Sequence, residues 1–413
     1  MTEKTKGIII IAAANGFVSL GYSLSIPFLT IYLTTQKQVA PSIIGLMLAA
    51  AMFTTAAASA ISGEISDNFG RKKVMVVSLF LRSLSMLAIA GAIFFDAHYL
   101  ITMAFHFAGS FLGAFFRPAS NAWIADNTTN AERVKAFGYM RIGVNLGWTI
   151  GPAMGGFLAN VSYSLGFLLT SITFFMSMLY IRAYIEEGLK KTLRRKSNFF
   201  KMFVELKHKN LSRLCFYNFL ISIVSAQLVT GLSLHAVTYL GLSENNVGML
   251  FSFQGLSVVL FQYHASKFAA KIRLTAALGI GCFLYAIGYG SVGFALGFYT
   301  LIIGMVLAAL GEMLVMPAGQ SLASNIAPAN KRGRFLGLYV LSNQAGVSTG
   351  IMLAGLMMQH FSPIYPPAPW LVIAAIACCA GTLFFRLKVW LTPEEDGLKP
   401  KRPMPVTKPL SIE

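Results

Sequence analysis

The sequence has few charged residues, and very few of these are acidic. Charged residues make up 12% of the chain, against roughly 25% in a typical soluble domain. Asp and Glu number 15 together, whereas Lys and Arg number 33, and 56% of all residues are hydrophobic. Because a soluble domain needs a charged surface, this composition indicates a protein that lies mostly in lipid.

Cysteine and histidine are also scarce, with four and six copies. All four cysteines lie within apolar segments, so neither a disulfide framework nor a metal cluster is predicted. The sequence contains no nucleophile–base pair, phosphate-binding loop or nucleotide-binding motif. We therefore expect a protein that is not an enzyme, has no cofactor or metal, and uses an ion gradient rather than ATP.

Long apolar runs dominate the chain. Each is close to the ~20 residues that cross a bilayer as a helix, and in lipid the backbone must bond to itself. These predicted spans are 7–33, 42–62, 74–95, 99–125, 136–160, 165–185, 214–240, 247–266, 275–294, 299–325, 335–360 and 369–389. The prediction is an all-α membrane protein with twelve transmembrane helices.

The basic residues mark the orientation of these spans. They cluster in the terminal segments, in alternate short turns and in the central segment from Lys190 to Arg213, whereas Lys37 lies in an outer loop. By the positive-inside rule both termini are cytoplasmic, and the excess of positive charge is not a nucleic-acid footprint. The predicted units are a six-helix bundle at 1–188, a basic linker at 189–212, a second six-helix bundle at 213–390 and a disordered tail at 391–413.

An internal repeat relates the two halves. The segment from Arg117 to Gly156 recurs without a gap as the segment from Met316 to Gly355. Identical pairs include Pro118 with Pro317 and Gly151 with Gly350. Two parallel copies in a membrane protein are typical of a transporter with its site between the halves, so we expect a central cavity.

Two motifs carry a family resemblance. The turn GEISDNFGRKK, from Gly63 to Lys73, resembles the G-x-x-x-D-x-x-G-R-[KR]-[KR] signature of the major facilitator superfamily. The segment GWTIGPAMGG, from Gly147 to Gly156, resembles an element of its proton-coupled exporters. The chain is thus similar to the twelve-helix drug:proton antiporters. It departs from them at Phe105, where the resemblance implies an Arg.

The turn between spans two and three can act as a cytoplasmic latch. Asp67 can bond to a helix N-terminus, and Arg71 offers a planar fork for a carboxylate such as Asp126. The resemblance implies that such contacts hold the halves together on the cytoplasmic side; the alternative is a plain positive-inside turn. The predicted latch residues are Gly63, Asp67, Gly70, Arg71, Lys72, Asp126 and Arg141.

Span five carries glycines at four-residue spacing. Gly147, Gly151 and Gly155 share one face, which favours close helix packing. Pro152 cannot donate to the carbonyl of Trp148 and permits a bend. These residues and Gly156 are candidates for packing, for a hinge, or for both.

Glu312 lies mid-membrane, whereas the other acidic residues lie in loops, tails or helix ends. A carboxylate at that depth is expensive to hold in its charged form and is functional by default. The resemblance implies a Glu in this context of span ten in drug exporters. We therefore predict that Glu312 binds the coupled proton, with a structural hydrogen bond as the alternative.

Other polar residues within spans are candidate cavity residues. Arg117 in span four can face Glu312 across the cavity or bind an anionic group. The remaining candidates are Asn15, Asn121, Gln227, Gln320 and His235, each of which can instead form a helix-to-helix hydrogen bond.

Three functions are compatible with these patterns. The first is proton-coupled efflux of amphiphilic drugs or metabolites by alternating access. The second is transport of a small organic anion, and the third is a membrane sensor that has the fold without transport. The expected partners are a small-molecule substrate, protons and the lipid bilayer, and we expect a monomeric, multi-pass protein of the plasma membrane.

Overall fold

The computed structural model describes residues 3–128, 130–187, 199–269, 271–328 and 331–398. Its helices are α1 (Glu3–Thr35), α2 (Pro41–Phe69), α3 (Arg71–Phe94), α4 (Tyr99–Gly113), α5 (Phe116–Asn127), α6 (Asn130–Val161), α7 (Tyr163–Tyr184), α8 (Lys209–Ser225), α9 (Gly231–Thr238), α10 (Glu244–Ala269), α11 (Leu274–Val292), α12 (Phe298–Ile326), α13 (Arg332–His360) and α14 (Ala368–Leu387). Short 3₁₀ segments lie at Phe199–Lys207, Ala226–Leu228 and Lys388–Trp390.

These helices occupy the predicted apolar runs. Within the part of the chain that the structure describes, nine segments are long and apolar enough to cross a membrane. The other long helices, α6, α10 and α13, contain 32, 26 and 29 residues and pack against α1, α2, α6 and α8 at or near the interface of the halves. Helices that face protein need fewer apolar residues than helices that face lipid. The all-α fold is confirmed, whereas the count of twelve and the side of the termini stay predictions.

The fourth predicted span is not one continuous helix. It is divided into α4 and α5 at Ala114 and Phe115, because Pro118 has no N–H to donate to the Ala114 carbonyl. Side chains of α2 fill the gap: Ser59 donates to the Ala114 oxygen at 3.4 Å and Ser62 to the Phe115 oxygen at 3.1 Å. The seventh span is likewise divided into α8 and α9. In the repeat, Pro317 lies within the unbroken helix α12.

The two halves, α1–α7 and α8–α14, touch at the ends of the spans predicted to face outward. Gly45 of α2 lies against Gly355 of α13, and Gly156 of α6 lies against Gly248 of α10. Two hydrogen bonds join the halves there among the described residues, from Ser42 N to Gln359 at 3.1 Å and from Tyr163 to Glu244 at 2.7 Å. A further contact between the halves, Gly255 of α10 against Thr149 of α6, lies nearer the middle of these helices.

Parts of the linker and of the tail pack on the second half. The segment Phe199–Lys207 docks on the second half through Glu205, which pairs with Lys331 and Arg334 at 3.0 Å each. The predicted disordered tail begins too early, because Asp396 is fully buried and accepts from Thr275 N and Thr275 Oγ1 at 2.8 Å. Residues 188–198 of the linker and 399–413 of the tail lie outside the described residues.

Candidate functional site

Glu312 lies at the middle of α12 and is paired with an amide. Gln254 Nε2 of α10 donates to Glu312 Oε2 at 2.7 Å. On the neighbouring helix α11, Tyr285 and Tyr289 lie close enough for the charge of the carboxylate to act on their hydroxyl groups. Their two rings are stacked, with centroids 5.7 Å apart. The surroundings of the carboxylate are therefore one hydrogen-bond donor, Gln254, and two aromatic residues, Tyr285 and Tyr289. Gln254 was one of several glutamines in apolar spans, and nothing in its sequence context marks it as this partner.

Arg141 of α6 is a cation in the wider surroundings of Glu312. Its charge contributes to the electrostatic surroundings of the carboxylate. The contacts of Asp67 and Asp126 are made with Arg71 and do not include Arg141. The sequence assigns Arg141 to the latch and Arg117 to the surroundings of Glu312, and both assignments stay predictions. Helix α6 lies along the interface of the halves, which brings Arg141 toward the second half.

Arg117 lies in the first turn of α5, at the break in the fourth span. Its guanidinium pairs with no acidic side chain within the described part of the chain. Asn121 follows one helical turn later on the same face, and its Oδ1 is buried with no hydrogen-bond partner among the described residues. A guanidinium without an acidic partner and an unsatisfied amide oxygen thus lie on one face of α5.

Three of the predicted cavity residues form contacts between helices instead. Asn15 donates at 2.9 Å to Ser120 of α5. Gln227 donates at 2.9 Å to the Gly350 carbonyl of α13. His235 accepts from Trp370 Nε1 at 3.1 Å and stacks on Tyr239. All three are buried, and these contacts match the helix-to-helix alternative.

Gln320 lines a cavity between the cytoplasmic ends of α12 and α13. The cavity has a volume of ≈ 480 Å³. Its lining residues are Gln320, Ser321, Ser324, Asn325, Leu336, Tyr339 and Val340. Gln320 lies two turns from Glu312 on the same helix, and the cavity lies on the predicted cytoplasmic side of the carboxylate.

The predicted latch residues Asp67, Arg71 and Asp126 are brought together. Arg71 Nε lies 3.2 Å from Asp126 Oδ2, and Arg71 also forms an ion pair with Asp67 one turn earlier and a hydrogen bond with Ser66. Because these residues belong to α2, α3 and α5, the contact connects helices of the first half and does not itself join the halves. Gly63 lies in α2, and its packing lies outside what the structure describes.

Gly70 makes the turn between α2 and α3 possible. Its φ of +102° is a backbone conformation that glycine adopts readily and other residues rarely do. The carboxylate of Glu187 covers this turn and accepts from Lys72 N at 3.0 Å and Lys73 N at 3.3 Å. Glu187, which the sequence analysis did not single out, therefore caps the positive end of α3.

The glycine face of α6 packs on α1. A Cβ atom on Gly147 would lie 2.6 Å from the Gly16 oxygen, one on Gly151 2.1 Å from Ser23 Oγ, and one on Gly155 2.2 Å from the Leu24 oxygen. Gly156 faces the other way, where a Cβ atom would lie 2.6 Å from the Glu244 oxygen. Pro152 lies within an unbroken α6, and its carbonyl approaches Gly248 of α10. This short stretch thus touches both α1 and the opposite half.

Sequence comparison matches the chain to a family and to named relatives. The model of the Major Facilitator Superfamily matches residues 11–239 and 214–412. Multidrug resistance protein 2 of Bacillus subtilis (strain 168) is 27% identical over 374 residues, which cover 86% of this chain and 90% of that protein. The class B tetracycline resistance protein of Escherichia coli is 28% identical over 353 residues, which cover 82% of this chain and 84% of that protein.

The fold is similar to that of solved structures. One is a bacterial homolog of the human lysosomal transporter Spinster, in an inward-facing and unoccupied conformation. It aligns with a TM-score of 0.78 at 13% identity and covers 97% of this chain and 100% of that chain. At this identity the likeness shows the fold alone.

Proposed function

This chain belongs to the major facilitator superfamily, and on that basis we propose that it exports amphiphilic small molecules in exchange for protons. Membership makes it a multi-pass membrane transporter rather than an enzyme, located in the plasma membrane. The relatives named for multidrug and tetracycline resistance support export of drug-like compounds. The single observation that carries the proton-coupling proposal is the pairing of Glu312 with Gln254 in the middle of the second half.

The surroundings of Glu312 favour competition between a proton and a substrate. In its ionised form the carboxylate accepts a hydrogen bond from Gln254 and is attracted to the positive charge of Arg141. Protonation removes the negative charge and leaves a cavity with excess positive charge. A substrate group that binds the ionised carboxylate is then released. Proton binding and substrate binding therefore weaken each other, which is the linkage that exchange requires.

The contacts that join the halves at their predicted outer ends support the direction of loading. In this conformation the substrate reaches the cavity from the cytoplasm, while the contacts near Tyr163 and Glu244 block the outer end. Alternating access requires these contacts to separate and the cytoplasmic ends to close. Arg71, which connects α3 to α5 through Asp126, keeps the cytoplasmic ends of the first half together as one rigid unit in both states.

Replacing Glu312 by Gln tests proton coupling. Glu312→Gln keeps the shape of the side chain and a hydrogen bond to Gln254 but has no ionisable group. In proteoliposomes loaded with a fluorescent amphiphilic dye, we expect dye accumulation driven by an imposed pH gradient to disappear. Exchange of dye for dye without a gradient should continue, because it needs no proton.

Glu394→Gln is the matched control, since Glu394 is an exposed carboxylate on the segment after α14. It should accumulate dye as the wild type does. Accumulation against a gradient at the wild-type rate in Glu312→Gln would overturn the assignment of the proton to this residue. Absence of all dye movement in the wild type, with amphiphiles of either charge, would overturn the exporter itself.

Transport of an organic anion is the second candidate, and the unpaired guanidinium of Arg117 favours it. Together with Asn121, Arg117 offers a charged and a neutral polar group on one face of α5. A carboxylate or sulfonate on the substrate would satisfy the guanidinium with two parallel hydrogen bonds. A substrate that has an apolar body and places an anionic group at Arg117 would be compatible with both candidate functions.

Arg117→Ala separates the two candidates. If Arg117 binds an acidic group, anionic dyes should lose at least tenfold in transport rate while neutral and cationic dyes keep theirs. Arg182→Ala is the control, because Arg182 is exposed in the last turn of α7. Equal loss for dyes of every charge would contradict anion recognition and indicate a structural role.

A further inference from the structure

A second cavity lies between the first turn of α11 and the end of α14. Its volume is ≈ 450 Å³. The lining residues are Arg273, Thr275, Ala276, Phe385, Lys388 and Val389. Both helix ends belong to the predicted cytoplasmic side of the second half. The cavity is remote from Glu312 and Arg117 in the fold, so the transport site does not account for it.

Two cations dominate the charge of this cavity. Lys388 is exposed and pairs with no acidic side chain among the residues that the structure describes. Arg273 lies 3.7 Å from Asp396 Oδ2, which is too long for a strong hydrogen bond. Both Asp396 oxygens already accept from Thr275, at 2.8 Å each. One carboxylate against two cations leaves one net positive charge beside the cavity.

The remaining wall of the cavity is apolar. The ring of Phe385 packs against α11 at Gly279, where a Cβ atom would lie 2.6 Å from it. Val389 and Trp390 are 73% and 46% exposed. These side chains lie where α14 meets the predicted cytoplasmic surface of the bilayer. The cavity thus joins a cationic pocket at headgroup level to an apolar surface at acyl-chain level.

We propose that this cavity binds the headgroup of an anionic phospholipid of the cytoplasmic leaflet. The phosphate lies between Arg273 and Lys388, and an acyl chain follows Phe385 and Val389 along α14. Basic pockets between helices at the cytoplasmic side have the chemistry that such headgroups need. A free phosphate ion would be attracted by the same cations, but it would leave the apolar surface unused.

The first half differs at the corresponding place. There Glu187 covers the first turn of α3 and accepts from both Lys72 N and Lys73 N. In the second half Asp396 accepts from Thr275, and the two cations beside it line an open cavity. The binding site is therefore expected in the second half alone.

Native mass spectrometry of the purified full-length protein tests this proposal. The protein is titrated with phosphatidylglycerol and, separately, with phosphatidylcholine as the neutral lipid. We expect preferential retention of phosphatidylglycerol by the wild type. The double variant Arg273→Ala/Lys388→Ala should bind it roughly 25-fold more weakly, because each cation contributes roughly fivefold. The variant Arg273→Lys/Lys388→Arg, which keeps both charges, should bind like the wild type.

The control variant Lys209→Ala/Lys267→Ala removes two exposed cations outside the cavity and should retain the lipid. Thermal unfolding in detergent verifies that every variant is folded. Unchanged retention of phosphatidylglycerol in Arg273→Ala/Lys388→Ala would overturn the proposal, as would equal retention of phosphatidylcholine by the wild type. Displacement of phosphatidylglycerol by millimolar inorganic phosphate would show that the cavity binds a soluble anion, and it would overturn the proposal of a lipid ligand.

Discussion

The hydroxyl of Tyr163 donates a 2.7 Å hydrogen bond to Glu244 Oε1 and joins the two halves at their predicted outer ends. Tyr163 begins α7 in the first half, and Glu244 begins α10 in the second. Directly beside this bond, Gly156 and Gly248 allow the backbones of α6 and α10 to approach. The bond must break whenever the outer ends separate, so it contributes to the stability of the closed outer end.

Tyr163→Phe should open the outer end more often. A hydrogen bond to a charged group contributes about 1.5–3 kcal/mol when it is buried, and the partly buried position of this bond reduces that. With about 1 kcal/mol lost, the outward-open population should rise roughly fivefold. Labelling of a cysteine at position 351, which is buried where α13 packs on α2 near the predicted outer ends, by an impermeant maleimide from the outside measures this, in a background with the native cysteines replaced by alanine.

Tyr184→Phe serves as the control, because Tyr184 is an exposed tyrosine at the other end of α7. Its labelling rate should match the parent. If Tyr163→Phe and Glu244→Gln both label at the parent rate, the hydrogen bond does not contribute to closure of the outer end.

Asp126→Asn should slow transport and leave insertion and folding nearly intact. The change removes the ion pair between α3 and α5, which the 40% exposure of Asp126 limits to roughly 0.2–1 kcal/mol. Asp67→Asn should act similarly, since Arg71 contacts both carboxylates. Dye efflux at equal expression measures the effect. Efflux at the wild-type rate in both variants would mean that the turn sets the membrane orientation and has no role in transport.

Gly151→Ala should destabilise the packing of α6 on α1. The added Cβ would lie 2.1 Å from Ser23 Oγ and 2.7 Å from the Leu20 carbonyl. Such overpacking costs roughly 1–3 kcal/mol. A lower midpoint of thermal unfolding in detergent is therefore expected. Gly138→Ala is the control, because Gly138 lies on the same helix and has nothing within 4 Å of its Cβ position. This variant should unfold at the wild-type temperature or slightly above it. Equal destabilisation by both changes would contradict the packing argument.

The linker segment Phe199–Lys207 should detach from the second half in acid. Hydrogen bonds from Lys331 and Arg334 hold the pKa of Glu205 below its usual value. The docked state therefore binds fewer protons than the detached state, so docking is fully stable above pH ~4.3 and weakens as the pH falls through the lowered pKa. Hydrogen exchange of this segment measures docking.

Glu205→Gln should raise that exchange at neutral pH and abolish its dependence on acid. Lys207→Gln is the control, since Lys207 is exposed on the same segment. Acid detachment that persists unchanged in Glu205→Gln would assign the pH dependence to another group.

The sequence alone determined the all-α membrane fold and the family. Apolar runs of bilayer length allow only helices, because the backbone has no other partner in lipid. The repeat from Arg117 to Gly156 predicted two similar halves, and the turn from Gly63 to Lys73 predicted the family that the comparison confirms. These features are local in sequence, so reading them requires no knowledge of which helices become neighbours.

The tertiary structure alone decided which polar side chains meet. Gln254 and Glu312 are far apart in sequence and approach only because α10 packs on α12. Asn15, Gln227 and His235 had the same polar character as the cavity candidates, yet each has a partner on another helix. In a bundle of helices the rotation of each helix about its axis is set by its neighbours, and this rotation decides whether a polar group faces a partner, lipid or the cavity.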